Sequence, residues 1–537
     1  MRFEDQMSLA DPLRSVPAQA DGKSIAGIGG NAIKRALASG SFLYTLEYVP
    51  DLSANRHRAL DELARNAELV GRDPRIAAVN IGDRVKSLDS VSTVECGRVA
   101  AEASGKTPLL HLAGKDRLPH EARDVIDSAL ALGLDNLLLL TGDGITEERA
   151  ERVRYHESVV AICETRERAP DAVIAAAVSP FKYREEELAN QYLKMVKKIA
   201  SGASYLITNC GWDMRKLQEL IWYRDARGFH TPIVANLLLP SMGWARGIHS
   251  RRLPGVFMSD DLFVKISQEH EQGKTRAREL AWQRLALQIV GSRLMGYAGV
   301  QLSGIEVYED LCTAIEMAHD VGARLTSLDE WQSAWDDVNR LPGGRVVDFA
   351  PPGGAYLFES RPAHGSLDRL PEISGVAPSE QEKARYQRLK RTHDLVFDQE
   401  GPFTSLFSGV VKLGNRLPGG RDALLSLEKL TKHTVLGCET CGFCRTEYLF
   451  YNCPETCPKG LANGPCAGTD ENTCEFKDRE CIHNRKYRLA KQLGRLDELE
   501  SVYVPPVEGT RGSSSWANHF AGSTPKIVWI QPAPPTI

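Results

Sequence analysis

The chain has 537 residues, of which 42% are hydrophobic and 25% are charged, and these are the proportions of a globular protein. Its 66 basic and 70 acidic residues give a net charge of -4, so the charge indicates neither a nucleic-acid partner nor a membrane surface. The N-terminus MRFEDQMSLADPLRS carries charges where a signal peptide is apolar, and no apolar run approaches the ~18 residues of a membrane span, so we expect a cytoplasmic protein.

Residues 1–38 show little pattern and are predicted to form an N-terminal arm. From residue 39 to residue 340, short apolar runs alternate with longer helical segments. Most of the short runs are continuously apolar, which is typical of strands that are buried on both faces. The predicted strands are the eight runs 41–49, 75–82, 108–113, 135–142, 171–178, 204–210, 232–239 and 298–304.

Helical segments fill the connections between these runs. One helix is predicted over 53–70 with Ser53 as its cap, another over 146–168 beginning at Thr146, and a third over 280–295. Eight βα units predict an α/β fold, a (β/α)8 TIM barrel. A doubly wound open sheet is the alternative, but no Gly-x-Gly-x-x-Gly follows the first run to favour it.

The remainder of the chain divides into three parts. Residues 341–381 are rich in Gly and Pro and are predicted to be a linker that crosses the surface. Residues 382–500 hold eight of the 12 cysteines and are predicted to be a Cys-rich metal-binding domain. Residues 501–537 are predicted to be an extended tail.

In a barrel of this kind the active site lies at the carboxyl ends of the strands. Polar residues stand at these ends: Glu47, Asn80, Asp83, His111, Thr141, Asp143, Thr208 and Asn209. Glu47 lies between Leu46 and Tyr48, and an inward carboxyl group among apolar neighbours would have a raised pKa and suit a general acid. The alternatives are a salt-bridged residue for Glu47, a helix-initiating turn for Asp143 and a satisfied core histidine for His111.

The ordered set LEYVP, AAVNIGD, LLHLAGKD, LLLTGDG and KKIASGASYLITN resembles the methylenetetrahydrofolate reductase family over residues 40–325. That family is a flavin-containing barrel with an F-E-F-x-P start, a strand that ends in R-G-D, and a K-x-x-x-G-A segment that leads to I-T-Q. The resemblance implies an oxidoreductase of one-carbon metabolism and methionine biosynthesis, which interconverts 5,10-methylenetetrahydrofolate and 5-methyltetrahydrofolate. It implies FAD as the cofactor, with FMN as the alternative.

The resemblance also implies roles for single residues. Glu47 would protonate the folate so that its methylene bridge opens, and Asp143 would lie near the flavin and the developing positive charge. Asn209 stands where the family holds the folate with a Gln. The positions at which the family contacts the flavin correspond to Asn80, His111, Thr141, Gly142, Asp143, Lys197 and Lys198, of which the lysines would suit its phosphates.

Three positions depart from the family pattern. Asn209 replaces the Gln, and Thr141 replaces the Arg of R-G-D. The loop after the seventh strand, residues 240–255, lacks the aromatic residue and the Gln with which the family grips NADH, and Trp244 and Arg246 are the alternatives for that role. The resemblance therefore predicts poor use of NADH.

The cysteines of the C-terminal region have the spacing of a metal site. Cys438, Cys441 and Cys444 form C-x-x-C-x-x-C, and Cys453-x-x-x-Cys457-Pro follows, as in the two parts of a bacterial ferredoxin motif. In a reducing compartment such a cluster indicates metal rather than disulfides. Three further cysteines complete the set of eight: Cys466, Cys474 and Cys481.

Eight thiolates can hold two [4Fe–4S] clusters or two zinc ions. Three cysteines at i, i+3 and i+6 favour a cubane cluster, and zinc is the alternative. His483 is a further residue that could replace one ligand.

The run KGLANGPCAG and the following ECIHNRKYRLAKQLGRLDEL resemble the Cys-rich domain associated with some bacterial methylenetetrahydrofolate reductases, where it is a partner subunit or is fused. This resemblance implies an electron-transfer module with iron–sulfur clusters, or a zinc domain. We expect electrons to pass through the clusters to or from a ferredoxin-like or other partner, with a homo-oligomer as a further expectation. The alternatives are an NAD(P)H-dependent reductase with structural zinc and a flavin-free, folate-binding barrel of the methyltransferase type.

Overall fold

The computed structural model describes residues 30–50, 56–83, 91–115, 117–144, 155–373, 375–398 and 400–531. Eight parallel strands close into a barrel in which each strand pairs with its neighbours in the chain and the last pairs with the first. Each predicted run contains one strand, so the predicted (β/α)8 barrel is confirmed. The strands are β1 (Leu43–Tyr48), β2 (Ile76–Ile81), β3 (Leu109–Ala113), β4 (Asn136–Leu140), β5 (Val173–Val178), β6 (Tyr205–Thr208), β7 (Ile233–Leu238) and β8 (Gly299–Ser303).

Helices surround this barrel and bury their apolar faces against the strands or against one another. In the described ranges they are α1 (Ala32–Ser39), α2 (Arg56–Arg72), α3 (Thr93–Ser104), α4 (Pro119–Ala131), α5 (Ser158–Arg168), α6 (Glu185–Ala200), α7 (Met214–Ala226), α8 (Met242–His249), α9 (Asp260–Glu271), α10 (Lys274–Met295), α11 (Tyr308–Gly322) and α12 (Leu328–Val338).

Helix α1 closes the amino-terminal end of the barrel. Residues 32–38 were expected to belong to a patternless arm, and this expectation is wrong. Asn31 caps the helix by accepting a hydrogen bond from the backbone N–H of Lys34 at 2.9 Å. Ile33 and Leu37 then pack on the apolar floor of the barrel, which comprises Leu43, Ala78, Leu109, Leu138, Val173, Ala175, Tyr205, Ile207 and Val234.

Of the helix predicted over 146–168, the structure describes residues 155–168, and α5 occupies Ser158–Arg168. Helix α5 begins at Ser158, and the backbone of Glu157 before it is extended, because the Glu157 carboxylate accepts hydrogen bonds from the backbone of residues 462 and 463. Ser53 and Thr146, the predicted first residues of two helices, lie outside the described residues.

The C-terminal region is helical at both ends and irregular around the cysteines. The segment between α12 and residue 379 contains no helix or strand in its described residues. The tail, expected to be extended, instead contains a helix whose Trp516 packs on Phe407. The helices of this region are α13 (Glu380–Val396), α14 (Thr404–Arg416), α15 (Gly420–Leu436), α16 (Ile482–Gln492), α17 (Asp497–Ser501) and α18 (Ser515–Ala521), and β9 (Val502–Tyr503) pairs with β10 (Val528–Trp529).

Helix α6 lies between the barrel and the Cys-rich region. Its residues from Glu185 to Ile199 are all buried, because β5 covers one side and α16 and α17 cover the other. The Glu185 carboxylate accepts hydrogen bonds from Tyr487 at 2.9 Å and from Lys491 at 2.5 Å. The charged residues of α6 would normally lie on the surface, but here the helix is buried between the barrel and the C-terminal region. In the described ranges, no helix is long and apolar enough to cross a membrane.

Candidate active site at the barrel mouth

Polar side chains line the inside of the barrel above the apolar floor. Because alternate residues of a barrel strand face its interior, Thr45 and Glu47 lie on the same side of β1. Glu47 pairs in register with Asn80 of β2. The Asn80 amide donates to the Thr45 hydroxyl at 2.8 Å and to the Gln301 side-chain oxygen at 2.9 Å. This network fixes the amide close to Glu47.

Three neutral donors surround the carboxyl group of Glu47. The Ser303 hydroxyl lies at 3.2 Å, the Gly304 N–H at 3.2 Å and the Gln301 amide at 3.4 Å. Burial is the main effect on this group and raises its pKa to about 7, although the three hydrogen bonds oppose the shift. The carboxyl group can therefore hold and release a proton near neutral pH, as the general-acid assignment requires.

Asn80 Oδ1 and His111 Nε2 are among the buried polar atoms that have no hydrogen-bond partner in the described residues. Burial lowers the pKa of His111 to about 4, so the imidazole is neutral at pH 7. A buried polar atom without a partner is costly. These two atoms therefore fit the edge of a polar ring system such as a flavin, which would satisfy them.

The TGDG turn after β4 brings the next predicted residues to the mouth. The Thr141 hydroxyl accepts a hydrogen bond from the Ser158 N–H at 3.2 Å, which ties the turn to α5. Gly142 has φ +89° and approaches Lys115 so closely that a Cβ would lie 2.9 Å from it. Asp143 remains exposed at the mouth. Local burial and then the charge of Glu475 raise its pKa, and nearby ammonium groups oppose the rise.

The two predicted lysines of α6 point in different directions. Lys198 Nζ donates to the Ala177 carbonyl of β5 at 2.5 Å, and burial lowers its pKa to about 7. Lys197 lies on the opposite side, where burial and then Lys486 of α16 lower its pKa. Only Lys198 has this contact with the barrel, since consecutive helical residues diverge by ~100°, and the flavin contacts of both lysines stay a prediction.

The Asn209 side chain joins the end of β6 to the loop after β7. Its amide donates to the Gly255 carbonyl at 2.6 Å. The same loop is held from the other side by Arg251, which pairs with Asp470 at 2.6 Å and with Glu471 at 3.2 Å. Residues of the Cys-rich region thus hold the loop in which the family pattern places the NADH contacts.

The eight cysteines separate into two groups of four. The first quartet lines one small cavity and consists of Cys438, Cys441, Cys444 and Cys453. Burial raises the pKa of Cys453 to about 12, and the other three thiols add to this rise. The second quartet consists of Cys457, Cys466, Cys474 and Cys481, whose thiols likewise influence one another after burial as the main effect.

The boundary between the two quartets in the chain lies between Cys453 and Cys457, and their role as metal ligands stays a prediction. No three or more His, Cys, Asp or Glu side chains in the described part of the chain are arranged so that they could hold a metal ion as they stand. The cysteines are all free thiols. His483 is buried beside lysines rather than in a quartet, and its ring Nε2 has no partner among the described residues.

The second quartet adjoins the TGDG turn through Lys459 and Glu475. Lys459 Nζ donates to the Gly142 carbonyl at 2.8 Å and pairs with Glu475 at 2.5 Å. The Glu475 carboxylate also accepts the Gly144 N–H, and the Cys466 thiol lies 3.5 Å from it. Two side chains therefore link a cysteine of the second quartet to the barrel mouth.

Sequence reasoning missed this link. Lys459 and Glu475 were not singled out, because isolated charged residues in an irregular segment normally lie on the surface. The same holds for Glu157, which pairs with Lys194 at 3.3 Å and accepts the Asn463 side-chain amide at 3.1 Å. The sequence did contain one signal for these contacts. The run KGLANGPC, which includes Lys459 and Asn463, is part of the resemblance to the Cys-rich domain.

A family model described as methylenetetrahydrofolate reductase matches residues 32–286, and one described as methylene-tetrahydrofolate reductase C terminal matches residues 418–509. No curated protein matches the chain. Among solved structures, an uncharacterized protein from Clostridium thermocellum, described as binding two copies of 5-methyl-5,6,7,8-tetrahydrofolic acid, is 12% identical, with 55% of this chain and 99% of that chain covered and a TM-score of 0.40.

Two further solved structures also match the chain. A putative deoxyribose-phosphate aldolase from Toxoplasma gondii is 10% identical, with 53% of this chain and 97% of that chain covered and a TM-score of 0.28. An N-acetylneuraminate lyase from Proteus mirabilis is 12% identical, with 52% and 97% covered and a TM-score of 0.27. Identity this low carries no functional inference. The two family matches, which cover seven of the eight barrel strands and the eight clustered cysteines, show that this chain belongs to the methylenetetrahydrofolate reductase family and carries the C-terminal domain associated with it.

Proposed function

We propose that this reductase interconverts 5,10-methylenetetrahydrofolate and 5-methyltetrahydrofolate with a flavin in the barrel and two [4Fe–4S] clusters in the cysteine quartets. When bound, the flavin would exchange a hydride with the folate, and the clusters would carry single electrons. The observation that carries the proposal is the Lys459–Glu475 link, which sets the second quartet against the TGDG turn.

Residues inside the barrel fit the flavin, which we take to be FAD, with FMN as the alternative. Asn80 and His111 would satisfy their unpartnered atoms on its ring. Thr141, Gly142 and Asp143 would lie along it at the end of β4. Lys198 faces the barrel strands and is the lysine that would hold a phosphate, because an ammonium group is a strong donor to phosphate oxygens.

Glu47 would hold the proton that opens the folate. Its carboxyl group is protonated below pH 7 and lies among neutral donors, so a bound amine is the natural acceptor for its proton. Asn209 would bind the folate ring from the end of β6. Asp143 would favour positive charge on the opened substrate, and Lys459 opposes the rise in its pKa.

The quartets would provide a route between the mouth and the surface. Cys453 and Cys457 are four residues apart, a span of at most ~14 Å, so the two quartets are neighbours. Cys444 of the first quartet is exposed. This exposure suits an electron donor or acceptor of the ferredoxin type, which must approach a cluster closely. Asn209 and the Cys-rich region hold residues 240–255, where the family binds NADH, and this supports a minor role for NADH.

A second candidate is an NAD(P)H-dependent reductase in which the quartets hold structural zinc. Tetrahedral zinc also takes four thiolates, and this number is the observation that favours it. The flavin-free methyltransferase-type barrel would leave Asn80 Oδ1 and His111 Nε2 without partners.

The test is the quantification of iron, acid-labile sulfide, zinc and flavin on one sample of the full chain prepared without oxygen. We expect about eight iron atoms, about eight sulfides and one flavin per chain. Zinc without iron or sulfide would remove the electron route and leave the folate chemistry in place. A colourless protein without flavin would contradict the reductase assignment itself.

A further inference from the structure

An apolar stripe runs along the outside of the α14–α15 hairpin. On and beside α14 the exposed side chains are Phe403, Leu406, Val410, Leu413 and Leu417. On α15, Leu427 and Leu430 extend the stripe, and Leu406 and Leu430 are 69% and 71% exposed. We call these seven side chains the outer face. A monomeric protein seldom leaves so many large apolar groups together in water.

The spacing of the outer face is that of a helix that packs on another helix. The five residues on α14 follow one another at intervals of 3, 4, 3 and 4, which is the a/d pattern of a coiled coil. This pattern keeps the side chains on one narrow seam, so a second helix can bury them all.

The described residues that pack on the hairpin lie against another side of it. Val411 of α14 and Leu424 of α15 form a small core with Trp516. Glu428 of α15 accepts hydrogen bonds from Ser514 at 2.7 Å and from Ser515. Among the described residues, the outer face therefore has no intramolecular partner.

The area of the outer face is that of a stable interface. Its seven side chains expose on the order of 700 Å², close to the ~800 Å² that each partner buries in an interface of standard size. Transient electron-transfer contacts are smaller and less apolar. The area therefore favours a permanent partner over an electron carrier.

We propose that this partner is a second copy of the same chain, and that two α14–α15 hairpins pair about a two-fold axis into a four-helix bundle. A self-complementary patch is what such an axis requires. With the axis at Val410, Phe403 would face Leu417 of the second copy, and Leu406 would face Gly414, next to Leu413. The inferred dimer is independent of the folate and cluster chemistry.

The charges beside the seam agree with antiparallel pairing. Lys412 and Arg416 flank the stripe. About an axis at Val410, Lys412 would face Ser408 of the second copy, and Arg416 would face Thr404. No like charges therefore oppose each other across the seam, whereas a parallel pair would bring the same basic residues side by side.

Light scattering and sedimentation of the full-length holoprotein test the dimer. We expect the wild type to have twice the 59.2 kDa of one chain. A Leu406→Glu, Leu413→Glu double variant should be a monomer, with a dimer dissociation constant raised by more than ~100-fold, and should keep its visible spectrum. The matched control is Val264→Glu, an exposed apolar residue on α9, which should remain dimeric.

A cross-linking measurement keeps the test independent of the stability of the charged variant. A Val410→Cys variant should be joined into a covalent dimer by a short bismaleimide, because two copies of residue 410 would meet at the axis. A Lys412→Cys variant, on the flank of the helix, should not. A wild type that is monomeric at ~50 µM, a dimer that survives the double substitution, or a monomer that instead sediments with phosphatidylcholine–phosphatidylglycerol vesicles would overturn the proposal.

Discussion

The ammonium group of Lys459 lies 2.8 Å from the carbonyl oxygen of Gly142 and pairs with Glu475 at 2.5 Å. Both charged side chains are almost fully buried. Gly142 belongs to the turn that ends β4, and Glu475 lies next to Cys474 of the second quartet. The Cys-rich domain is therefore attached to the barrel at the site of the proposed chemistry, and not at a remote surface.

Removing the Lys459 ammonium group should destabilise the attachment. A Lys459→Met variant would leave Glu475 charged and buried without a cation beside it, and we expect a loss of about 3 kcal/mol in the free energy of unfolding, measured with denaturant. Adding Glu475→Gln should restore part of this loss. The control is Arg123→Met, which removes the more exposed pair with Glu508 and should cost less than ~1 kcal/mol. Equal losses in both single variants would contradict the buried link.

Glu47 should control the pH dependence of folate reduction. Since its pKa is about 7, the rate should be constant below that pH and should fall tenfold per pH unit above it as the carboxyl group loses its proton. A Glu47→Gln variant should bind flavin with an unchanged visible spectrum and lose at least ~100-fold in turnover at every pH.

A Ser303→Ala variant is the matched control for this assignment. The Ser303 hydroxyl donates to the ionised carboxylate and lowers the pKa of Glu47. Its removal should therefore move the descending arm of the pH profile to higher pH while turnover below pH 7 persists. A profile that stays in place in this variant would assign the titration to another group.

The two quartets should respond separately to substitution. Cys466→Ser, in the second quartet, and Cys444→Ser, in the first, should each reduce the iron content from about eight to about four atoms per chain. In both variants the flavin should remain and the direct folate half-reaction should proceed. Electron delivery from a reduced viologen should slow in both. If one substitution removed all the iron, the division into two groups of four would be wrong.

NADH should be a poor electron donor. The loop that follows β7 is held by Arg251 on one side and by the Asn209 amide on the other, so it is not free to close over a nicotinamide. We expect NADH-dependent folate reduction at least ~100-fold slower than viologen-dependent reduction, compared by single-wavelength kinetics. Arg251→Ala should leave the NADH rate low, because the aromatic residue and Gln of the family are still missing. A high NADH rate in the wild type would favour the structural-zinc alternative.

The barrel could be predicted from the sequence because each of its strands is recognisable from a short stretch of consecutive residues. Each strand is buried on both faces and so appears as a short continuous apolar run, and the polar residue that ends the run marks the mouth. Glu47, Asn80 and His111 were found in this way. The family order of motifs added the roles that single residues could not.

The attachment of the Cys-rich domain could not be predicted, because it depends on contacts between distant parts of the chain. Lys197 and Lys198 are indistinguishable in the sequence, yet one faces the barrel and the other faces α16. Cys453 and Cys457 are neighbours in the chain, yet they belong to different quartets. The rotation of the helix between consecutive residues separates the contacts of the two lysines, and the turn between the two cysteines separates their quartets.

Helix α6 has buried side chains over almost its whole length, and this has a consequence for how the molecule comes apart. A barrel freed of its C-terminal region would present Glu185, Asn190 and Lys194 to water without the hydrogen-bond partners that this region supplies. The two units therefore share a wall and should melt in one cooperative step. A substitution at α6 or at the helices that cover it should lower the unfolding temperature of both regions together. The chain is then a single unit of stability, although it matches two family descriptions.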